Sequence, residues 1–287
     1  MVKSGLKDDL FAPGSHPRVS QYRLAAHLGA AFLVYSAMLY SGLSILRTHR
    51  LLANPTAGLS LITQLRSPPL RRLRLSVAAL SLLVFTTVMS GALVAGLDAG
   101  LIYNEFPYMG LGLTPPRKEL FDPFYSHTPD NSDLVWRNAL ENPSLVQLDH
   151  RILATTTFTA VMALWAYTRY SPRLRPLLRG AEMKGVTGGV RGVCHLVWLQ
   201  VTLGITTLLY LVPLPIASAH QAGALALLTG VLVLGNRVWI PRRTVEMLRR
   251  VQQASSGRGG PTVGRVTGLG GVEQKRPFFT SRAVMMK

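Results

Sequence analysis

The chain carries seven histidines, and three of them share a setting that the other four lack. His27, His150 and His220 each stand a short way inside an apolar segment, in the contexts RLAAHLG, QLDHRIL and IASAHQAG. A histidine within a membrane helix ordinarily faces the bundle interior and has a partner there. One such residue reads most simply as an interhelical hydrogen bond. Two at one depth, on separate helices, also match the two axial positions of a haem iron. A proton relay would use the same groups, because imidazole titrates near neutrality. Zinc would call for further Cys, His or carboxylate ligands, and the single cysteine, Cys194, lies at another depth.

Helix-start signals set the depth of the three. Ser20 reads as an N-cap, with His27 seven residues on. Asn142-Pro143 reads as N-cap and N1, with His150 seven residues beyond Pro143. Pro215 reads as N1, with His220 five residues on. At a rise of roughly 1.5 Å per residue, all three lie about 8–11 Å from their helix starts. His195 is expected to open a helix from the opposite side. His16, His49 and His127 are expected in loops, as solvated residues.

The elements that must position these groups are membrane helices. Of 287 residues only 15% are charged, while 48% are hydrophobic. Apolar windows approach or reach bilayer length at Gln21–Leu46, Leu75–Leu97, Ile152–Ala166, Val193–Val212 and Ile216–Gly235. The third extends back to Pro143 and forward to Tyr170. The expected fold is therefore an all-α polytopic membrane protein with five transmembrane helices, the last four forming a four-helix bundle. The net charge of +18 is not spread evenly. Arg47–Arg74 and Arg169–Arg191 hold six Lys/Arg each, and eleven follow from Arg237 onward, whereas Ala99–Asp149 holds three. Alternation of this kind puts the basic segments inside and the long loop outside. It also speaks against a nucleic-acid partner, whose basic groups would not be separated by apolar twenty-mers. The expected organisation is an outer-side lead-in loop (1–20), a first membrane helix (21–46), a basic inner-side loop (47–74), a four-helix bundle (75–240) with an outer loop (99–142), and a basic, largely disordered inner-side tail (241–287).

Around the histidines, Arg151 suits a carboxylate such as a haem propionate, or else Asp149 or another loop carboxylate. Asp149 is itself a poor direct orienter of the His150 ring, one residue away on the helix. The segment Tyr103, Phe106, Pro107, Tyr108 and Met109 reads either as a cover over the bundle or as an interfacial aromatic belt. Gly91, Ala95, Gly96 and Gly100 follow small-xxx-small spacing. AAHLGAAFLVYSAML, from Ala25, and SAHQAGALALLTGVL, from Ser218, repeat one pattern at an offset of 220 − 27 = 193 residues. A duplication would put the counterpart of His150 before Met1. The chain is therefore expected to be an N-terminally incomplete form of an eight-helix protein, with the partner of His27 missing.

The stretches SGALVAGLDAGLIYNEFPYMG, RNALENPSLVQLDHRIL, QVTLGITTLLYLVPLPIASAHQAGALALLTG and VSQYRLAAHLG resemble the haem A synthase family over about residues 1–240. The resemblance implies two pseudo-symmetric four-helix bundles and an oxidoreductase that converts haem O to haem A by oxidising a ring methyl to formyl, for cytochrome c oxidase assembly. It implies haem b as cofactor on His150 and His220, with Arg151 as a further cofactor-binding residue. His27 becomes one ligand of the substrate haem. The family's carboxylate-bearing N-terminal histidine motif has no counterpart here. The implied setting is the mitochondrial inner membrane, with loop 99–142 in the intermembrane space and the tail in the matrix. The implied partners are the lipid bilayer, haem, a redox electron-transfer partner, and a second copy of the chain or haem O synthase. A bis-histidine haem b electron carrier is the alternative.

Overall fold

The computed structural model describes residues 20–256. His16 and the tail beyond Ser256 lie outside them, so the expectations for those segments are not addressed. The described chain is helical, apart from one isolated bridge between Met109 and Gly112. The principal helices are α1 (Gln21–Ala53), α2 (Pro55–Leu65), α3 (Pro68–Gly96), α4 (Leu134–Glu141), α5 (Pro143–Tyr170), α6 (Lys184–Leu209), α7 (Leu214–Val238) and α8 (Arg242–Ser256). Among the described residues four helical segments are long and apolar enough to cross a membrane. They are Gln21–Ala53, Pro68–Gly96, Ala181–Leu209 and Leu214–Ser255. The chain is an all-α polytopic membrane protein. Helix α5 is 28 residues long but stands outside that set. Its first turns carry Gln147, Asp149, His150 and Arg151, which lower its apolar character.

Packing follows the small, apolar helix faces. Helix α3 packs on α5, α5 on α6, α6 on α7 and α7 on α3, a closed ring of four in which α5 and α7 are diagonal. A continuous core fills the ring, including Leu73, Val77, Leu80, Val84, Val161, Val190, Val193, Leu228, Val231 and Leu234. Helix α1 lies outside the ring, against α3 and α7. Gly96 permits its closest approach, since a Cβ there would come 2.6 Å from the Gln21 backbone. Arg47 of α1 donates to the carbonyls of Asn236, Arg237 (2.9 Å) and Trp239 (3.1 Å), satisfying the open C-terminus of α7. Residues 47–74 are helical over most of their length. There α2 packs on α8 through Ile62, Val245 and Leu248.

Several local expectations shift. Asn142 does cap α5, its side chain accepting from the Ser144 N–H at 2.9 Å. Ser20 makes no such bond, and Pro215 is the second residue of α7 rather than the first. His195 is exposed in the middle of α6, because that helix begins at Lys184, a turn-forming stretch earlier than the apolar window. His49 lies within α1, whose helix runs on past the apolar window to Ala53. The small-residue stripe is not one seam. Gly91 faces the His150 ring, Gly96 faces Gln21, and Gly100 faces Val212.

Candidate haem-binding site

His150 and His220 project from the diagonal helices α5 and α7, and the two imidazoles lie within electrostatic reach of each other. Each ring leans on a glycine of a neighbouring helix. A Cβ on Gly91 of α3 would come 3.1 Å from Cε1 of His150, and one on Gly204 of α6 would come 3.0 Å from Cε1 of His220. Any side chain at either position would displace its ring, since interiors have little slack. Nδ1 of His150 lies 2.8 Å from the Ser90 hydroxyl. Nδ1 of His220 is sealed from the surroundings and has no hydrogen-bond partner. Among the described residues neither Nε2 makes a hydrogen bond.

The donor set fits a haem. Among the described residues, no group of three or more His, Cys, Asp or Glu side chains is arranged to hold a metal ion. A protein-built zinc cage therefore lacks ligands, while a porphyrin brings four of its own and asks only for two axial ones. His150 and His220 are two imidazoles on diagonal helices, which is the donor set such a group asks for. The sealed, orphaned Nδ1 of His220 is a further mark of a functional position, because buried polar groups are otherwise paired.

Arg151 does something that spacing alone did not indicate. No ion pair joins it to Asp149 among the described residues. Its guanidinium instead gathers backbone carbonyls of the outer loop: Tyr103 (2.9 Å), Glu105 (2.9 Å), Tyr108 (3.0 Å) and Pro107 (3.5 Å). Gln147, one turn earlier, also donates to the Tyr103 carbonyl at 2.9 Å. Asn104 donates to the Gly100 and Leu208 carbonyls, tying the same loop to α6. The Tyr103 hydroxyl donates to Glu119, which also accepts from Ser144 at the start of α5. Burial first, and then the Glu119 carboxylate, push the Tyr103 phenol up to about 12. The aromatic segment thus divides. Met109 is buried with Leu120, Leu145 and Leu148, while Phe106 and Tyr108 point outward.

His27 is exposed on α1, and no contact joins it to the other two histidines among the described residues. The grooves along α5, lined by Thr155, Thr156 and Thr159 or by Ala79, Leu83 and Tyr167, include none of the three. Sequence reasoning missed Ser90, Gln200 and Gly204. The Ser90-Gly91 pair inside an apolar helix was a weak signal, because both residues lower helix propensity and persist there for a packing reason.

Comparison with known proteins decides the family. The model of the COX15-CtaA family, described as cytochrome oxidase assembly protein, matches residues 1–232. This chain belongs to that family. Among its relatives is the heme A synthase-mitochondrial ferredoxin fusion protein of Schizosaccharomyces pombe, 47% identical over 83% of this chain and 38% of the relative. Heme A synthase COX15 of Saccharomyces cerevisiae is 46% identical over 84% of this chain and 49% of its own length, and that of Homo sapiens is 44% identical over 83% and 50%. The chain thus spans about half the length of these COX15 relatives. No solved structure matches it. The matched region of the COX15-CtaA family covers all three histidines, the Arg151 cluster and the whole helical ring except the end of α7 beyond residue 232.

Proposed function

We propose that the chain works as a haem A synthase-type membrane oxidoreductase of the mitochondrial inner membrane. On this reading haem b is held between His150 and His220, and His27 contributes one ligand to a separate site for the substrate, haem O. The observation that carries it is the pair of imidazoles on diagonal helices, each seated on a glycine. A bound haem would supply reversible one-electron redox chemistry, and the family reaction converts a ring methyl of haem O into the formyl of haem A.

The chain's own residues have simpler tasks. His150 and His220 bind iron without needing to change charge. Arg151 and Gln147 fix the loop from Tyr103 to Met109 on the outer side of α5, where a held loop limits water at the bundle's end. Helix α5 is the fifth span, its polar first turns covered by that loop. The outer loop faces the intermembrane space and the tail faces the matrix, as the arginine distribution suggests. An electron-transfer partner is required, because the methyl oxidation removes electrons from the substrate.

Expression in a host without its own haem A synthase, supplied with haem O, tests the proposal. Haem b bound to the purified chain and haem A in the extracted pigments are the expected results. Bound haem b with no haem A would instead identify a bis-histidine electron carrier. A parent chain with no haem spectrum would overturn both.

A further inference from the structure

We infer that Ser90 is a positioning residue: it holds His150 as the tautomer protonated on Nδ1, which leaves Nε2 as the lone pair available to iron. The inference rests on the proposed haem site and adds a residue to it that does not touch the haem. The argument is one of counting hydrogens. Ser90 Oγ lies 2.8 Å from the Thr87 carbonyl, one turn earlier on α3, and 2.8 Å from His150 Nδ1. A carbonyl only accepts, and a serine hydroxyl has a single hydrogen. With that hydrogen directed at the Thr87 carbonyl, the Ser90 oxygen is left to accept from Nδ1 of His150. A neutral imidazole has one N–H, so Nε2 is then the bare nitrogen.

The seam between α3 and α5 keeps this geometry in register. Thr87 Oγ1 donates to the Leu83 carbonyl at 2.8 Å and lies 2.8 Å from Thr157 Oγ1 of α5. Gly91 supplies the floor under Cε1. The ring is therefore bounded at Nδ1, at Cε1 and along the helix, and its Nε2 makes no hydrogen bond among the described residues. A metal-bound histidine whose other nitrogen donates a hydrogen bond is fixed in orientation and made a stronger ligand. His220 has no such partner at Nδ1. As holders of the proposed haem the two histidines would thus be unequal, with His150 the stronger.

The test compares Ser90→Ala, Ser90→Thr and Thr87→Ala in the full chain, reconstituted with haem b in lipid nanodiscs. Ser90→Ala is expected to speed haem loss roughly tenfold, to raise the midpoint potential and to shift the low-spin electron paramagnetic resonance signal. Ser90→Thr keeps the hydroxyl and is expected to restore all three. Thr87→Ala removes the Thr157 contact but not the Thr87 carbonyl. It is expected to lower thermal stability without moving the potential. A potential and resonance signal unchanged in Ser90→Ala would overturn the inference, and so would a shift of the same size in Thr87→Ala. Should Ser90→Ala fail to fold, nitrogen-15 histidine spectra of the haem-free parent still decide. Protonated Nδ1 at His150 is expected, and protonated Nε2 would overturn the inference. A parent that binds no haem would sink the proposed function, while this nitrogen-15 measurement would still report on Ser90.

Discussion

His150 leans on Gly91 of α3 and bonds Ser90, whereas His220 leans on Gly204 of α6 and leaves its Nδ1 buried without a partner. The floors match to within 0.1 Å, at 3.1 and 3.0 Å from Cε1, but the second shells differ. Helix α6 does offer His220 a polar neighbour. Gln200, one turn from Gly204, donates to the His220 backbone carbonyl at 3.0 Å, but its Oε1 is also buried and unpaired. What α6 holds is therefore the helix that carries His220, while what α3 holds is the His150 ring itself. On the proposed haem reading the two imidazoles would therefore differ in strength as ligands, because the neighbouring helix braces one ring and not the other.

The largest effect expected is from removing the rings. His150→Ala and His220→Ala should each abolish the six-coordinate haem spectrum of the purified chain, which visible absorption checks. A spectrum like the parent's in either variant would break the pair. Next come the floors. Gly91→Ala and Gly204→Ala each put a methyl at contact distance from a ring, at a cost of about 1–3 kcal/mol of overpacking. Both should weaken haem binding to a similar degree in a haem titration, and a large difference between them would show that the seats are not equivalent in space.

A third variant acts outside both seats. Arg151→Gln removes most of the bonds to the Tyr103, Glu105, Pro107 and Tyr108 carbonyls. Hydrogen exchange of residues 103–109 should rise severalfold, with a smaller effect on haem spectra than either glycine variant. The smallest effect on the histidines is expected from Asp133. The Ser126 hydroxyl, with the His127 N–H, the Thr128 hydroxyl and Arg137, holds its carboxyl well below the usual range. A folded value below the unfolded one, about 4, means that its stabilisation is present above that pH and is lost as pH falls toward the folded value. Asp133→Asn should lower the melting temperature at neutral pH and flatten its decline below about pH 4, leaving both histidines' spectral signatures unchanged.

The comparison also explains what was legible beforehand. The cap at Asn142 fixed the start of α5 at Pro143, seven residues before His150, because capping is a local affair of a few residues. Pro215, the second residue of α7, misplaced that helix start by one residue, within the ordinary uncertainty of helix ends. His195 was misplaced in depth because polar and glycine residues from Lys184 onward extend α6 beyond its apolar window. Arg151 was read for its charge, yet the structure uses its geometry: a planar fork of donors that matches clustered carbonyls as well as a carboxylate.

Sequence alone determined the all-α membrane class, the uneven placement of charge along the chain, the start of α5 at Pro143, and the family. These follow from composition, local capping and long shared motifs, which need no tertiary contact. Only the folded chain decided that α5 and α7 are diagonal, that Gly91 and Gly204 are the floors, and that Ser90 meets His150 while nothing meets Nδ1 of His220. Those facts depend on which faces of separate helices turn toward each other. In a membrane, where apolar burial between helices drives little, that choice is made by close packing at small residues and by a few hydrogen bonds across the seams.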